Sequence, residues 1–118
     1  MQRQRVSFTT AADGSASAEF SRTVNAGELC AVLWNKGTCD AGVDFTLATS
    51  GADGSGTVFA VANANASAKY YPRAAANLAT DGSALTWYVE PILDGKVTLT
   101  IAQGGNAKTG SMVILYED

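Results

Sequence analysis

The side chains of this sequence that could take part in chemistry are its two cysteines, its carboxylates and its hydroxyls, because the chain contains no histidine. Histidine is the base that activates serine or cysteine in the common acyl-transfer relays. Neither Cys30 nor Cys39 lies in a sequence context that lowers a thiol pKa, such as a Cys-X-X-Cys pair. We therefore expect a protein that is not an enzyme.

Three Asp-Gly-Ser tripeptides are the next candidates, because their oxygens suggest a calcium site. They are Asp13-Gly14-Ser15, Asp53-Gly54-Ser55 and Asp81-Gly82-Ser83. Calcium takes about six to eight converging oxygens, and none of these loops has carboxylates at the alternate positions that supply them. Aspartate bonds to the backbone two residues on and glycine accepts a positive φ, so the tripeptides indicate turns. We expect no metal and no other cofactor.

Two glycine-rich segments have the composition of a phosphate-binding loop. They are Gly51-Ala52-Asp53-Gly54-Ser55-Gly56 and Gln103-Gly104-Gly105-Asn106. A phosphate loop lies between a strand and a helix, whose N-terminal N–H groups hold the phosphate. Neither segment leads into a helix-forming sequence, so both indicate turns.

The two cysteines flank a turn-like segment, which raises the question of a disulfide. If Lys36-Gly37 is the two-residue loop of a hairpin, Cys39 lies opposite Trp34. Cys30 is then about 13 Å farther along the strand, whereas bridged cysteines have Cα atoms within about 7 Å of each other. The spacing predicts two free thiols, as in a reducing cytoplasm.

The charge of the chain excludes one class of partner, because the formal net charge at pH 7 is −3 and the eight basic residues are scattered. Nucleic-acid surfaces depend on clustered lysine and arginine. The one local cluster, Arg3 with Arg5, indicates a solvated edge strand. No apolar run approaches the roughly 18 residues of a membrane span, and the start lacks the apolar core of a signal peptide. We expect a soluble protein without a nucleic-acid or membrane partner.

Short strand-like runs separated by turn signals fill most of the sequence. A chain of 118 residues has the length of one domain with one core. We predict a single all-β domain over residues 1–118, a sandwich or roll of about eight mostly antiparallel short strands. The predicted strands cover residues 5–10, 16–24, 28–35, 43–49, 57–62, 85–89, 96–103 and 110–116.

The clearest strand lies at residues 96–101, where Val97, Leu99 and Ile101 share one face. Just before it, Leu93-Asp94-Gly95-Lys96 predicts a two-residue hairpin turn, because Asp-Gly supplies the positive φ that such turns need. Pro91 cannot donate to a ladder, so it marks an edge or a bulge.

Two runs, at residues 29–34 and 112–116, are apolar at every position instead of alternating. Such runs are covered on both faces. Two alternatives follow: the runs are central strands capped by loops, or one of their faces is buried by another chain.

A long segment at residues 63–80 interrupts the strand pattern and contains little apolar bulk apart from its tyrosines. Connections of this length are uncommon inside compact domains and are usually functional or disordered. We predict an extended, arm-like loop that contacts a partner, with Tyr70, Tyr71 and Arg73 as its anchors, since tyrosine and arginine are enriched in interface hot spots. The alternative is that the tyrosines cover the domain's own core.

Three blocks of the sequence carry a resemblance to a known group of proteins. They are Gly42-Val43-Asp44-Phe45-Thr46-Leu47, then Asn63-Ala64-Asn65-Ala66-Ser67-Ala68 with Pro72-Arg73, and finally residues 96–110, which end in Ala-Gln-Gly-Gly-Asn-Ala-Lys-Thr-Gly. In these blocks the chain resembles small tailed-phage proteins that are encoded near the major capsid protein. The similarity extends from about Phe8 to Tyr116, and its last block is the most specific.

The resemblance implies a virion structural protein, a cement or decoration protein on the capsid, that is assembled in the host cytoplasm. Its implied partners are the major capsid protein and further copies of the same chain. An acidic chain is repelled by packaged DNA, which favours the outer capsid surface. Two other interpretations stay open: a tail or head–tail connector component, and a β-domain that binds a carbohydrate or another ligand.

Overall fold

The computed structural model describes residues 1–50 and 55–118 and contains no helix in that part of the chain. Every ladder between its strands is antiparallel. The prediction of an all-β fold is therefore confirmed, and the turn predicted at Asp53-Gly54 lies outside the described residues. The strands are β1 (Gln2–Thr9), β2 (Ala16–Glu19), β3 (Val24–Asn35), β4 (Asp44–Ser50), β5 (Ser55–Val61), β6 (Ala68–Tyr70), β7 (Ala74–Asn77), β8 (Ala84–Val89), β9 (Ile92–Ala102) and β10 (Thr109–Glu117).

Eight of these strands form a sandwich-like body with the order β1-β10-β3-β9-β4-β5, while β6 pairs with β3 and β2 pairs with β9. We call β1, β10, β3 and β6 the first sheet, and β2, β9, β4 and β5 the second sheet. The two sheets are continuous at one corner, where the first residues of β3 pair with the first residues of β9. The last strand of the chain, β10, lies between β1 and β3 at the centre of the first sheet.

The core lies between the two sheets and follows the alternation of the strands. Val97, Leu99 and Ile101 of β9 are buried, as their spacing predicted. The two sheets meet at the buried rings of Trp34 on β3 and Phe45 on β4, whose centroids lie 4.9 Å apart. Near the N-terminus, the buried Gln4 Nε2 donates to Tyr116 Oη at 2.8 Å, which ties the first strand to the last.

The hairpin predicted at Leu93-Asp94-Gly95-Lys96 is wrong, because β9 runs straight through these residues. Gly95 has the positive φ that its sequence suggests, at +100°, but it lies opposite Val24 where the β3–β9 ladder is irregular. Within the irregular stretch of β3, Ala26 also has a positive φ and donates its N–H to Asp94 Oδ1 at 3.2 Å. The Asp-Gly pair here supports a β-bulge instead of a chain reversal.

The hairpin assumed around Lys36-Gly37 is also wrong, although the conclusion drawn from it about the thiols is confirmed. A loop follows β3, and β4 pairs with β5 and β9 instead of β3. Cys39 is buried in the core and Cys30 is half-buried, and both are free. The cysteines are thus separated by the end of β3 and by a turn at residues 36–39, in which Cys39 N donates to Lys36 O at 3.1 Å.

The two runs that are apolar at every position are the central strands of the first sheet. Residues that point inward, such as Val32 and Ile114, are fully buried. Val113 and Leu33 point outward and lie opposite each other on neighbouring strands. Val113 is 8% exposed and Leu33 is half-buried, because the long side chains of Arg5 and Lys69 flank them in the same row.

The long segment at residues 63–80 divides into two parts. Its first part belongs to the body: Ala64 is buried, its carbonyl accepts a bond from Trp34 Nε1 at 3.1 Å, and β6 pairs with β3. Its last part begins a separate two-stranded hairpin, in which β7 pairs with β8. We call this hairpin, residues 74–89, the arm. The arm-like element therefore begins later than predicted and includes the strand predicted at residues 85–89.

Candidate functional site

The exposed apolar surface of the protein is concentrated on the arm and its base. Eight large hydrophobic side chains are exposed in the described chain, and seven of them lie between residues 71 and 92. Such concentration differs from the scattered apolar residues of an ordinary surface, and it is typical of interaction sites. The seven are Tyr71, Leu78, Leu85, Trp87, Tyr88, Val89 and Ile92.

Prolines lie at both junctions between the arm and the body. Pro72 precedes β7 and Pro91 follows β8, and the chain has no other proline. Proline has no N–H to donate, so a ladder cannot continue through either junction. Within the described chain, the backbones of β7 and β8 pack against no strand other than each other. The arm consequently stands as a separate element on a molecule whose extents are 48 × 28 × 24 Å.

The ladder of the arm contains a bulge that affects Trp87. Between the pairs Ala75–Tyr88 and Asn77–Ala84, β7 contributes one residue while β8 contributes three. A bulge bends its strand and changes the direction of its side chains. Trp87 lies in the bulge and is 76% exposed, the highest value among the large hydrophobic residues of the described chain.

The tip of the arm is the turn at Asp81-Gly82-Ser83, which has the chemistry predicted for it. Asp81 Oδ1 accepts bonds from Ser83 Oγ at 2.7 Å and from Ser83 N at 2.9 Å. These two bonds hold the pKa of the Asp81 carboxyl below its ordinary value. The same two bonds, at 2.6 and 3.0 Å, form between Asp13 and Ser15 and lower the pKa of Asp13.

The base of the arm is closed by a weak ion pair. Arg73 Nη2 and Glu90 Oε1, which flank the arm, lie 3.9 Å apart. Glu90 also accepts a bond from Cys30 Sγ at 3.6 Å. Burial, followed by the charge of Glu90, raises the pKa of the Cys30 thiol. Beside this pair is a cleft of about 530 Å³ lined by Glu28, Arg73, Tyr88, Val89, Glu90 and Ile92.

The three anchors predicted from the sequence occupy different environments. Tyr70 is half-buried, and its ring centroid lies 5.5 Å from that of Phe59 and 5.9 Å from that of Phe45. Tyr71 is 64% exposed, and Arg73 lies at the base of the arm. Tyr71 and Arg73 are thus available to a partner, while Tyr70 packs against the protein's own core.

Sequence reasoning missed Trp87 and Tyr88, which are the two most exposed aromatic residues. They lie in a run that looks like an ordinary strand, and strands usually bury one face. One signal was available, because Pro72 and Pro91 enclose a segment with a single charged residue between Ala74 and Val89.

The most specific block of the resemblance, residues 96–110, contains the loop between β9 and β10. Gly104 N donates to Gly14 O at 2.9 Å, and Asp40 N donates to Gly104 O at 3.0 Å. Lys108 N donates to Thr10 Oγ1 at 2.8 Å. These contacts connect three loops at one end of the sandwich, so the block supports the fold.

The described residues include no cluster of three or more potential metal ligands. They also include no helix long and apolar enough to cross a membrane. A comparison with protein-family models, curated proteins and solved structures finds no significant match to the chain. The arm and its base are therefore the best-supported candidate site.

Proposed function

We propose that this protein is a non-enzymatic structural protein of a tailed-phage virion, which binds the outer surface of the major capsid shell and stabilises it as a cement or decoration protein. The observation that carries the proposal is the concentration of exposed apolar side chains between Tyr71 and Ile92 on a well-packed body. A surface of this composition favours binding to another protein, since aromatic and arginine side chains dominate interface energies.

Two further features support the location on a capsid. The three sequence blocks described above resemble small tailed-phage proteins encoded near the major capsid protein. The net charge of −3 disfavours contact with packaged DNA and favours the outside of the shell. Many copies on a symmetric shell would also let a small interface act through avidity.

Binding to particles tests the proposal directly. Particles assembled without this protein are mixed with the purified protein and sedimented, and the bound copies are counted. We expect saturation at hundreds of copies per particle. Saturation at about six or twelve copies would favour a connector or tail component, and glycan binding by the free protein would favour the ligand-binding alternative.

Substitution at the base of the arm locates the attachment surface. Tyr71→Ala combined with Arg73→Ala should weaken attachment by about 2–4 kcal/mol, because each removes a side chain of the hot-spot type. The free variant should keep its melting temperature, since both side chains are exposed. The matched control is Lys96→Ala with Thr57→Ala on the second sheet, which should bind normally. Unchanged attachment of the Tyr71 and Arg73 variant would contradict this surface.

A further inference from the structure

We propose that the arm of one copy docks on the outer face of the first sheet of a second copy, so that the protein associates head to tail. The inference deepens the proposed function. It rests on that proposal in one premise, which is that the arm is an interface. It concerns Trp87 and its neighbours in the bulge, whereas Tyr71 and Arg73 at the base of the arm are the residues that test attachment to the shell. The partner surface follows from the register of the first sheet.

The outer face of the first sheet carries an aliphatic stripe between cationic side chains. One row across all four strands consists of Arg5, Val113, Leu33 and Lys69, as the three ladders align them. The next row consists of Arg3, Leu115 and Ala31. We call these two rows the receiving face. Leu33 and Leu115 at its centre are half-buried, and Val113 and Ala31 are only 8% and 5% exposed. Its edges carry three cations, and it contains no acidic residue, although Glu117 and Glu28 are paired beyond its second row.

A shallow, open cleft lies beside the stripe. It is lined by Leu33, Trp34, Ser67, Ala68 and Lys69. Lys69 at the rim can in addition contact the face of an aromatic ring. An exposed indole such as that of Trp87 therefore matches the chemistry of this cleft.

The charges of the two surfaces are complementary. The arm has one charged residue, Asp81 at its tip, and no cation. The receiving face has only cations, Arg3, Arg5 and Lys69. Two receiving faces would repel each other, whereas an arm and a receiving face attract each other. This asymmetry favours a second copy, whose arm is apolar and acidic, in a head-to-tail arrangement.

The contact has to form between copies, because within the described part of one molecule β7 and β8 have no strand neighbour except each other, and the arm meets the first sheet only at its base, where Tyr88 and Val89 line a cleft with Glu28. An arm bound to a receiving face leaves one free surface of each kind, so further copies can add. Such heterologous contacts produce a ring where the rotation closes and a chain where it does not. A two-stranded hairpin is only marginally stable alone in water, so docking would also order the arm.

Sedimentation equilibrium of the free wild-type protein is the first test. We expect the average mass to rise above 12.1 kDa as the concentration increases towards about 1 mM. The emission of the exposed Trp87 should shift to shorter wavelength in parallel, and the Trp87→Ser variant gives the signal of Trp34 alone. A mass that stays at 12.1 kDa throughout would overturn the inference.

Two variants that each lose one surface provide the decisive test. Trp87→Ser removes the anchor of the arm, and Arg3→Glu with Arg5→Glu reverses the charge of the receiving face. Each variant alone should associate at least about 30-fold more weakly than wild type. Mixed together, they should form a one-to-one dimer that grows no further, because one variant keeps its arm and the other keeps its receiving face.

The control for charge is Lys96→Glu with Lys108→Glu, which changes the net charge equally but lies outside the receiving face; it should associate like wild type. Head-to-tail docking would be refuted if the two variants failed to complement each other, or if each variant alone associated as strongly as wild type.

Particle binding separates the two proposals. Attachment to particles without self-association leaves the proposed function standing and refutes this inference, and self-association without attachment does the reverse.

Discussion

The neighbouring residues Tyr70 and Tyr71 show how one step along a strand separates a core residue from a surface residue. Tyr70 packs against Phe45 and Phe59, while Tyr71 is exposed. We expect Tyr70→Ala to lower the free energy of unfolding by about 2–3 kcal/mol, less than for a fully buried ring. Tyr71→Ala should change it by no more than about 0.5 kcal/mol. Urea denaturation measures both values, and equal losses would show that Tyr71 is also a core residue.

The two free thiols are expected to differ in their reactivity. Burial is the main cause that raises the pKa of the Cys39 thiol, so little of the reactive thiolate is present near neutral pH. When denatured, unreduced protein is treated with an aromatic disulfide reagent, two thiols per chain should react and release the coloured aromatic thiolate. In the native protein Cys39 should react only as fast as the protein opens, and Cys39→Ser removes this slow phase. Detection of no thiol in the denatured protein would reveal a disulfide.

The aspartates of the two Asp-Gly-Ser turns allow a prediction about pH. Because hydrogen bonds lower the pKa of the folded carboxyl, they stabilise the native state fully above the ordinary aspartate pKa. This contribution is lost as the pH falls through the lowered value. Ser15→Ala should raise the pKa of Asp13 and leave that of Asp81 unchanged, which carboxyl-carbon NMR can follow. A shift at both aspartates would indicate that the two turns are coupled.

At the scale of elements, the loop after β3 depends on Gly37. Its φ is +56°, and a Cβ there would lie 2.1 Å from Thr109 O on β10. We expect Gly37→Ala to cost at least about 3 kcal/mol, through both a left-handed backbone and a clash. Gly42, with a φ of +94°, is the control, because a Cβ there would meet only Asn63 Oδ1 at a comfortable 4.0 Å. Gly42→Ala should cost only the backbone term, about 1–2 kcal/mol, and thermal unfolding compares the two variants.

The Asp-Gly pairs show which part of the fold could be read from the sequence. Asp81-Gly82 forms the tip of the arm, whereas Asp94-Gly95 lies inside β9. Both glycines have a positive φ, as their sequence predicts. Whether the chain then reverses depends on the strands that flank it, and β9 is held by β3 across the bulge. Local chemistry thus fixes the backbone angle but not the topology.

The candidate site was predictable only in part, and for a similar reason. Arg73 and Tyr71 were found because they lie in a segment with no strand pattern. Trp87 and Tyr88 have the sequence of a strand, and only the three-dimensional structure reveals that this strand lies outside the sandwich. Exposure is a property of what an element packs against, so it is not encoded in the pattern of the element itself.

At the scale of the whole molecule, the arm should be removable without unfolding the body. The arm contributes no residue to the core cluster, and Arg73 and Glu90 already approach each other at its base. We expect replacement of residues 74–89 by a short Gly-Ser linker to change the melting temperature by less than about 2 °C. A fall of more than about 5 °C would mean that the arm supports the sandwich.

The central position of β10 in the first sheet has a consequence for how the protein is made. Since β10 separates β1 from β3, the first sheet cannot close until residues 109–117 have left the ribosome. Gln4 and Tyr116, which bond in the core, are 112 residues apart in sequence, and such distant pairings slow folding. The apolar strand β3 therefore lacks its β10 neighbour until residues 109–117 have been made.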